Sequence, residues 1–157
     1  MSEFNEKVDL MKMLRDGRVL YPLTDLNGDL SGVAGWKKEP GNPVYSVWGA
    51  GFYGNVKTEK DTLIFTEGVA EVQQAQRNGY DHVIGIMAVD LDALFSEGVL
   101  KQIAEMKKNV ILSFGQDNMG KEAADRLARR MRAAGIPVSI HVYQPGNPKD
   151  QLGFLNR

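Results

Sequence analysis

The stretch Thr62-Leu-Ile-Phe-Thr-Glu-Gly68 runs from an apolar segment to a single carboxylate, Glu67, followed by a glycine. A second apolar run, Val110–Phe114, leads in the same way into Gly115-Gln-Asp-Asn-Met-Gly120. Short apolar runs bounded by turn residues are typical of buried strands. In a parallel α/β sheet the carboxyl ends of the strands form one crevice, so acids just past those ends converge. The two stretches therefore predict a site for a divalent metal or for proton transfer.

Downstream of residue 61 the sequence alternates between strand and helix patterns. Strands are predicted at 62–66, 82–89, 109–114 and 137–143, and helices at about 68–78, 92–107 and 121–134. The last helix has the clearest pattern, because Ala124, Leu127 and Met131 lie on one face. Four strands separated by helices indicate a parallel sheet with helical crossovers.

The residues upstream of this region follow a different pattern. Two β-like runs, Arg18–Asp25 and Asp29–Lys37, flank Asn27-Gly28, and Asn-Gly is the preferred centre of a tight hairpin turn. Residues 4–15 have apolar side chains at helical spacing, and residues 38–59 are broken by Gly and Pro apart from a possible strand at Val44–Trp48.

These patterns predict an α/β fold with two parts. The main part is a four-stranded, mainly parallel sheet flanked by helices, and a small antiparallel β-hairpin subdomain precedes it. We place the N-terminal helix and the antiparallel subdomain in residues 1–60, and the α/β domain in residues 61–157.

Composition limits the possible functions. A formal net charge of −1 argues against a globally basic nucleic-acid binder, so any such contact must depend on a local patch. Because the sequence has no cysteine, it excludes thiol nucleophiles and zinc sites built on cysteine. With two histidines a histidine-rich metal site is improbable, so a metal would be bound by oxygen ligands. The polar start, Met1–Lys7, and the lack of a long apolar run predict a soluble, cytoplasmic protein with no membrane partner.

The order and spacing of the motifs resemble the Toprim domain, and most closely that of bacterial and phage DnaG-type primases. Arg18–Gly28 with Leu30–Gly35 resembles the stretch upstream of that family's glutamate, Phe52-Tyr-Gly54 its next motif, and Pro145–Asp150 its closing segment. The resemblance covers about Arg18 to Leu152. It implies a Toprim fold and an action on nucleic acid, single-stranded DNA in particular, during DNA replication.

The resemblance also implies roles for individual residues. Glu67 matches the family's glutamate, a general acid or base, and Asp117 matches the second aspartate of an Asp-x-Asp pair that holds Mg²⁺ or Mn²⁺. Asp150 matches a trailing acid and is a weaker metal candidate. Gly115 stands where the family has the first aspartate of the pair, and loss of one ligand weakens a magnesium site without necessarily abolishing it.

Three lysines are candidates for binding nucleic acid or nucleotide. Lys37 and Lys38 stand near the position where primases present an arginine, and a lysine can meet a phosphate as a point charge. Lys121 is the third candidate. Full primases also carry a zinc-binding module and a helicase-binding tail, so primer synthesis by this chain would imply a replication partner such as a helicase or a primase module.

Each candidate acid also has a structural alternative. Glu67 could cap the following helix, Asp117 could be an N-cap, and Asp150 could be an exposed turn acid. Asp92, in the pair Asp90-Leu-Asp92, is interpreted as the N-cap of helix 92–107, with metal binding as its alternative. A non-catalytic Toprim module that binds a replication protein or DNA, and a Mg²⁺-dependent nuclease, remain the rivals of nucleotidyl transfer.

Overall fold

The computed structural model describes residues 19–39, 42–88, 90–115 and 118–143, with side chains except at 37–39, 42–46, 118–119 and 142–143. Eight strands and four helices lie in these ranges. The strands are β1 Val19–Thr24, β2 Leu30–Glu39, β3 Asn42–Gly49, β4 Gly51–Tyr53, β5 Thr62–Glu67, β6 Val83–Met87, β7 Asn109–Gly115 and β8 Val138–Tyr143. The helices are α1 Ala70–Arg77, α2 Leu91–Leu94, α3 Glu97–Met106 and α4 Asn118–Ala133.

All eight strands form one mixed sheet in the order β3-β2-β1-β4-β6-β5-β7-β8. The four strands β6, β5, β7 and β8 are parallel, and β1 to β4 pair antiparallel. The short strand β4 joins the two parts because it pairs with both β1 and β6. This architecture confirms the predicted fold class. The predicted domain boundary between residues 60 and 61 falls between β4 and β5. It remains a prediction, since the two parts share one sheet.

The predicted hairpin is present as β1 and β2. Its turn is held by Asp25, whose Oδ1 accepts hydrogen bonds from the backbone N–H groups of Asn27 at 2.9 Å and Asp29 at 3.0 Å. Gly28 has φ +89, a left-handed conformation that glycine adopts without steric cost. The Asn-Gly pair therefore located the hairpin, but it is not the centre of the turn, because Gly28 N–H donates to the Asp25 carbonyl and the central residues are Leu26 and Asn27.

Helices cover both faces of the parallel part. On one face, α2, α3 and α4 pack over Leu63 and Phe65 of β5 and Leu112 of β7 to form the main core. On the other face, α1 places Val72 against Ile64 of β5. Alternate residues of β5 point to opposite faces, which is why a nearly continuous apolar run forms a central strand between two helical layers.

The predicted helix 92–107 is wrong in one respect, because the structure divides it into α2 and α3. Phe95 leaves the helix and is fully buried between Phe52 and Phe65, with ring centroids 5.5 and 5.4 Å away. Ser96 then starts α3 by accepting a hydrogen bond from Val99 N through its side chain. Burial of one large aromatic side chain at this point outweighs continuity of the helix.

The predicted N-terminal helix at residues 4–15 lies outside the described residues. Within the described ranges, no helix has the length and apolar character required to cross a membrane.

Candidate active site

A row of paired residues crosses four neighbouring strands and ends at Glu67. Thr24 of β1 pairs with Phe52 of β4, Phe52 pairs with Ile86 of β6, and Ile86 pairs with Glu67 of β5. Glu67 is the last residue of β5, so it lies at the carboxyl edge of the parallel strands, as predicted. This is the edge where α/β sheets bind their ligands.

The Glu67 carboxylate is exposed and is anchored to the neighbouring strand. Its Oε1 accepts a hydrogen bond of 2.9 Å from the backbone N–H of Gly115, the last residue of β7. The next helix, α1, has Val69 as its N-cap, with no side-chain capping hydrogen bond. The geometry therefore places Glu67 across the sheet edge rather than on the N-terminus of the following helix.

Two glycines shape the loop that follows Glu67. Gly68 has φ +96, and a β-carbon added to it would lie 3.0 Å from Glu71 Oε2. Gly85 of β6 lies beneath this loop, and a β-carbon there would stand 2.3 Å from the Gly68 carbonyl oxygen. The chain can turn from β5 into α1 this tightly only because both positions are glycine.

Glu71 was missed in the sequence analysis. The structure places its carboxylate over Gly68, the residue next to Glu67. The available signal was spacing, because Glu71 comes four residues after Glu67 and falls in the first turn of α1. Glu71 thus adds a second described carboxylate at this edge.

Lys121 lies beside the same strand end. It is an exposed residue of α4 and, with Gly115, Phe114 and Ile140, lines a pocket of about 240 Å³. Gly115 is also the donor to Glu67. The structure therefore brings one of the three candidate lysines to the carboxylate edge.

The register places the other two candidate lysines elsewhere. Lys37 and Lys38 follow Trp36, which pairs with Val19 at the start of β1, whereas the row that contains Glu67 meets β1 at its end, Thr24. Their strand, β2, is also four positions from β5 in the sheet. The backbone therefore does not bring these residues to Glu67.

Of the three metal candidates predicted from the sequence, the structure describes only Asp92. Asp117 and Asp150 lie outside the described residues. The interpretation of Asp92 as an N-cap is wrong, because the N-cap of α2 is Asp90, whose Oδ1 accepts from the N–H groups of Asp92 and Ala93.

Asp92 instead forms ion pairs with two arginines of α4. Its Oδ1 lies 3.3 Å from Nη1 of Arg130, and its Oδ2 lies 3.6 Å from Nε of Arg126. Arg130 also donates from Nη2 to the Phe95 carbonyl at 2.7 Å. These contacts connect α4 to α2 and account for Asp92 without a metal ion.

Carboxylate oxygens are the ligands that Mg²⁺ prefers, so Glu67 and Glu71 fit a hard divalent cation. Across the described ranges, no three histidine, aspartate or glutamate side chains are grouped to hold a metal. A complete site would therefore need a further ligand, and Asp117 is the residue that the sequence predicts for this purpose.

Comparison with known protein families decides the classification. The family model of the Toprim domain matches residues 61–141, which is more than half of the chain. The chain belongs to the Toprim domain family. The matched region runs from just before β5 into β8, so the Toprim domain includes the Glu67 edge and the pocket beside Lys121.

Solved structures resemble the Toprim chain beyond that region. The E. coli primase catalytic core matches with a TM-score of 0.66 at 20% identity, covering 88% of this chain and 48% of that one. A DnaG primase catalytic domain bound to ssDNA matches at 0.68 and 18%, covering 88% and 50%. The primase fragment of the bacteriophage T7 primase-helicase protein matches at 0.55 and 16%, covering 87% and 57%.

These matches show a shared fold that includes the antiparallel part. The chain spans about half the length of each of these structures. No curated protein matches the sequence.

Proposed function

We propose that this Toprim protein acts on nucleic acid in DNA replication, as a metal-dependent nucleotidyl transferase of the DnaG-type primase lineage. The observation that carries the proposal is the position of Glu67, exposed at the carboxyl edge of β5 and hydrogen-bonded to the end of β7. The structural likeness to primase catalytic cores covers 88% of the chain, and this coverage supports the same lineage.

Glu67 would handle the proton in the transfer step. Because one of its oxygens is anchored by Gly115 N–H, the carboxylate has a defined position from which it can take the proton of the attacking hydroxyl or return one to the leaving oxygen. Lys121, beside Gly115, would contribute a positive charge to a phosphate of the substrate. With these roles, proton transfer and phosphate binding would both take place at the carboxyl edge of the parallel strands.

Mg²⁺ or Mn²⁺ would be held by Asp117 with Glu71 and substrate phosphates. When bound, the ion would neutralise charge on the reacting phosphate. Gly115, in place of a carboxylate, leaves fewer protein ligands, so we expect the metal to bind more weakly than in a site with both aspartates.

The second candidate function is a non-catalytic module that binds a replication protein or DNA. Gly115 is the observation that favours it. A site that no longer performs metal-dependent chemistry can lose a metal ligand without consequence, and Gly115 replaces such a ligand. A helicase or primase module is the expected partner type in either case, since a relative of the same fold occurs within a primase-helicase protein.

An assay of purified protein with single-stranded DNA, nucleoside triphosphates and Mg²⁺ or Mn²⁺ separates the alternatives. Extended products support nucleotidyl transfer, and shortened DNA indicates a nuclease. Binding of DNA without either product supports the non-catalytic module. A parallel Mn²⁺ titration by calorimetry should show binding that is lost in Asp117→Ala, and unchanged binding in that variant would contradict the proposed ligand.

A further inference from the structure

A second pocket lies on the same row of the sheet as Glu67. It has a volume of about 260 Å³, is open to solvent, and is lined by the β1–β2 turn, the start of β4, and helices α2 and α3. Phe52 forms part of its wall and belongs to the row that ends at Glu67. Two strand spacings separate these two residues, a distance of about 10 Å.

The pocket has apolar walls and acceptor groups. Leu26, Phe52 and Val99 supply apolar surface. Asp25 and Gln102 also line it. Asp25 Oδ1 accepts from the turn amides of Asn27 and Asp29, which leaves Oδ2 as an acceptor, and the Gln102 amide nitrogen donates to Asn27, which leaves the amide oxygen. Among the described residues that line it there is no lysine or arginine. Such a lining suits a neutral ring that carries hydrogen-bond donors and does not suit a phosphate.

The size of the pocket limits the ligand further. Pockets for drug-sized ligands start at about 300 Å³. A pocket of about 260 Å³ therefore suits a single ring system rather than a larger molecule. The distance to Glu67 also fits, since the base of a nucleoside triphosphate and its outer phosphates are separated by a comparable length.

We propose that this pocket binds the heterocyclic base of a nucleotide whose phosphates lie at the Glu67 edge, with a preference for bases that carry an amino group. Adenine, guanine and cytosine offer an amino donor to the Asp25 carboxylate, whereas uracil and thymine do not. The inference rests on the proposed function for the identity of the ligand, and it assigns to that function a base-binding subsite.

Free nucleosides test the pocket without phosphate or metal. Adenosine, guanosine, cytidine and uridine are titrated separately into ¹⁵N-labelled protein, and the backbone amide signals of Ala93 and Ser96, which line the pocket, are followed by NMR. We expect shifts with the three amino-bearing nucleosides. Uridine should bind about tenfold more weakly, because its ring donor, N3–H, is flanked by two carbonyl oxygens that repel the Asp25 carboxylate.

Two variants locate the binding. Ala93→Phe places a ring at the exposed edge of the pocket and should weaken nucleoside binding by at least about tenfold. Ala133→Phe, at an exposed position of α4 outside the pocket, is the matched control and should bind as the wild type does. Asp25→Asn keeps an oxygen for the turn but removes the carboxylate, so it should reduce the preference over uridine.

The proposal is overturned if none of the nucleosides shifts these amides, if Ala93→Phe leaves binding unchanged, or if uridine binds as well as the other three. Because the titration contains neither metal nor phosphate, its failure would leave nucleotidyl transfer by the Glu67 edge standing. Conversely, nucleoside binding in a protein that transfers no nucleotide would support the pocket and contradict the proposed catalysis.

Discussion

Replacing Gly85 by alanine should destabilise the protein and displace the loop at the candidate site. A β-carbon at this position would lie 2.3 Å from the Gly68 carbonyl oxygen and 3.2 Å from Val72 Cγ2. Because the closer contact is with backbone, the loop between β5 and α1 must move. Overpacking of this kind costs about 1 to 3 kcal/mol of unfolding free energy.

For a chain of 157 residues, each kcal/mol lowers the melting temperature by about 2 to 4 °C. Thermal unfolding of Gly85→Ala followed by circular dichroism should therefore show a melting temperature about 2 to 12 °C below that of the wild type. Since the displaced loop directly follows Glu67, the amide signal of Gly115, which donates to Glu67, should shift in the NMR spectrum.

The matched control is Gly98→Ala in the first turn of α3. A β-carbon at Gly98 would have only Ser96 Oγ nearby, at 3.9 Å, so no backbone has to move. Alanine is favoured over glycine in helices by up to about 1 kcal/mol, so this variant should be as stable as the wild type or more so. If Gly85→Ala melts like the wild type, the close approach of Gly68 to β6 is incorrect.

Three further perturbations address other parts of the structure. Thr66→Val should raise the unfolding free energy by about 1 kcal/mol in denaturant titrations, because the Thr66 Oγ1 is fully buried and has no hydrogen-bond partner among the described residues; a loss of stability would reveal an unseen partner. Burial lowers the pKa of His82 from 6.5, so the folded state prefers the neutral imidazole. The unfolding free energy should therefore fall as the pH drops below 6.5, and His82→Gln should lessen this fall. Asp92→Ala should cost at most about 1 kcal/mol, as exposed ion pairs do, whereas Arg130→Ala should cost more because it also loses the hydrogen bond to Phe95.

Local patterns were sufficient to predict most elements. Asn27-Gly28 located the hairpin, and the apolar run before Glu67 located the central strand. Strand β4 was not predicted, because its three residues, Gly51–Tyr53, are too few to show a period. That strand nevertheless joins the antiparallel and parallel parts, a role that depends on pairing partners far apart in the chain.

The candidate site was predictable in outline only. Strand-end logic placed Glu67 at the carboxyl edge, but its hydrogen bond to Gly115 depends on β5 and β7 being neighbours, and strand order is not encoded in a local pattern. The partners of Asp92 lie 34 and 38 residues further along the chain, at Arg126 and Arg130. Such contacts follow from packing of helices, so sequence spacing suggested a cap instead.

The central claim is that the Glu67 edge performs metal-dependent chemistry on nucleic acid, and nucleotide incorporation by Glu67→Gln tests it most directly. The assay measures labelled nucleotide incorporated on single-stranded DNA in Mg²⁺ or Mn²⁺, with Glu59→Gln, an exposed loop position, as the control. The account predicts incorporation by the wild type and by Glu59→Gln, and a loss of about a hundredfold or more in Glu67→Gln, the usual contribution of a general acid or base. Equal incorporation by correctly folded Glu67→Gln, or none by the wild type, would contradict it.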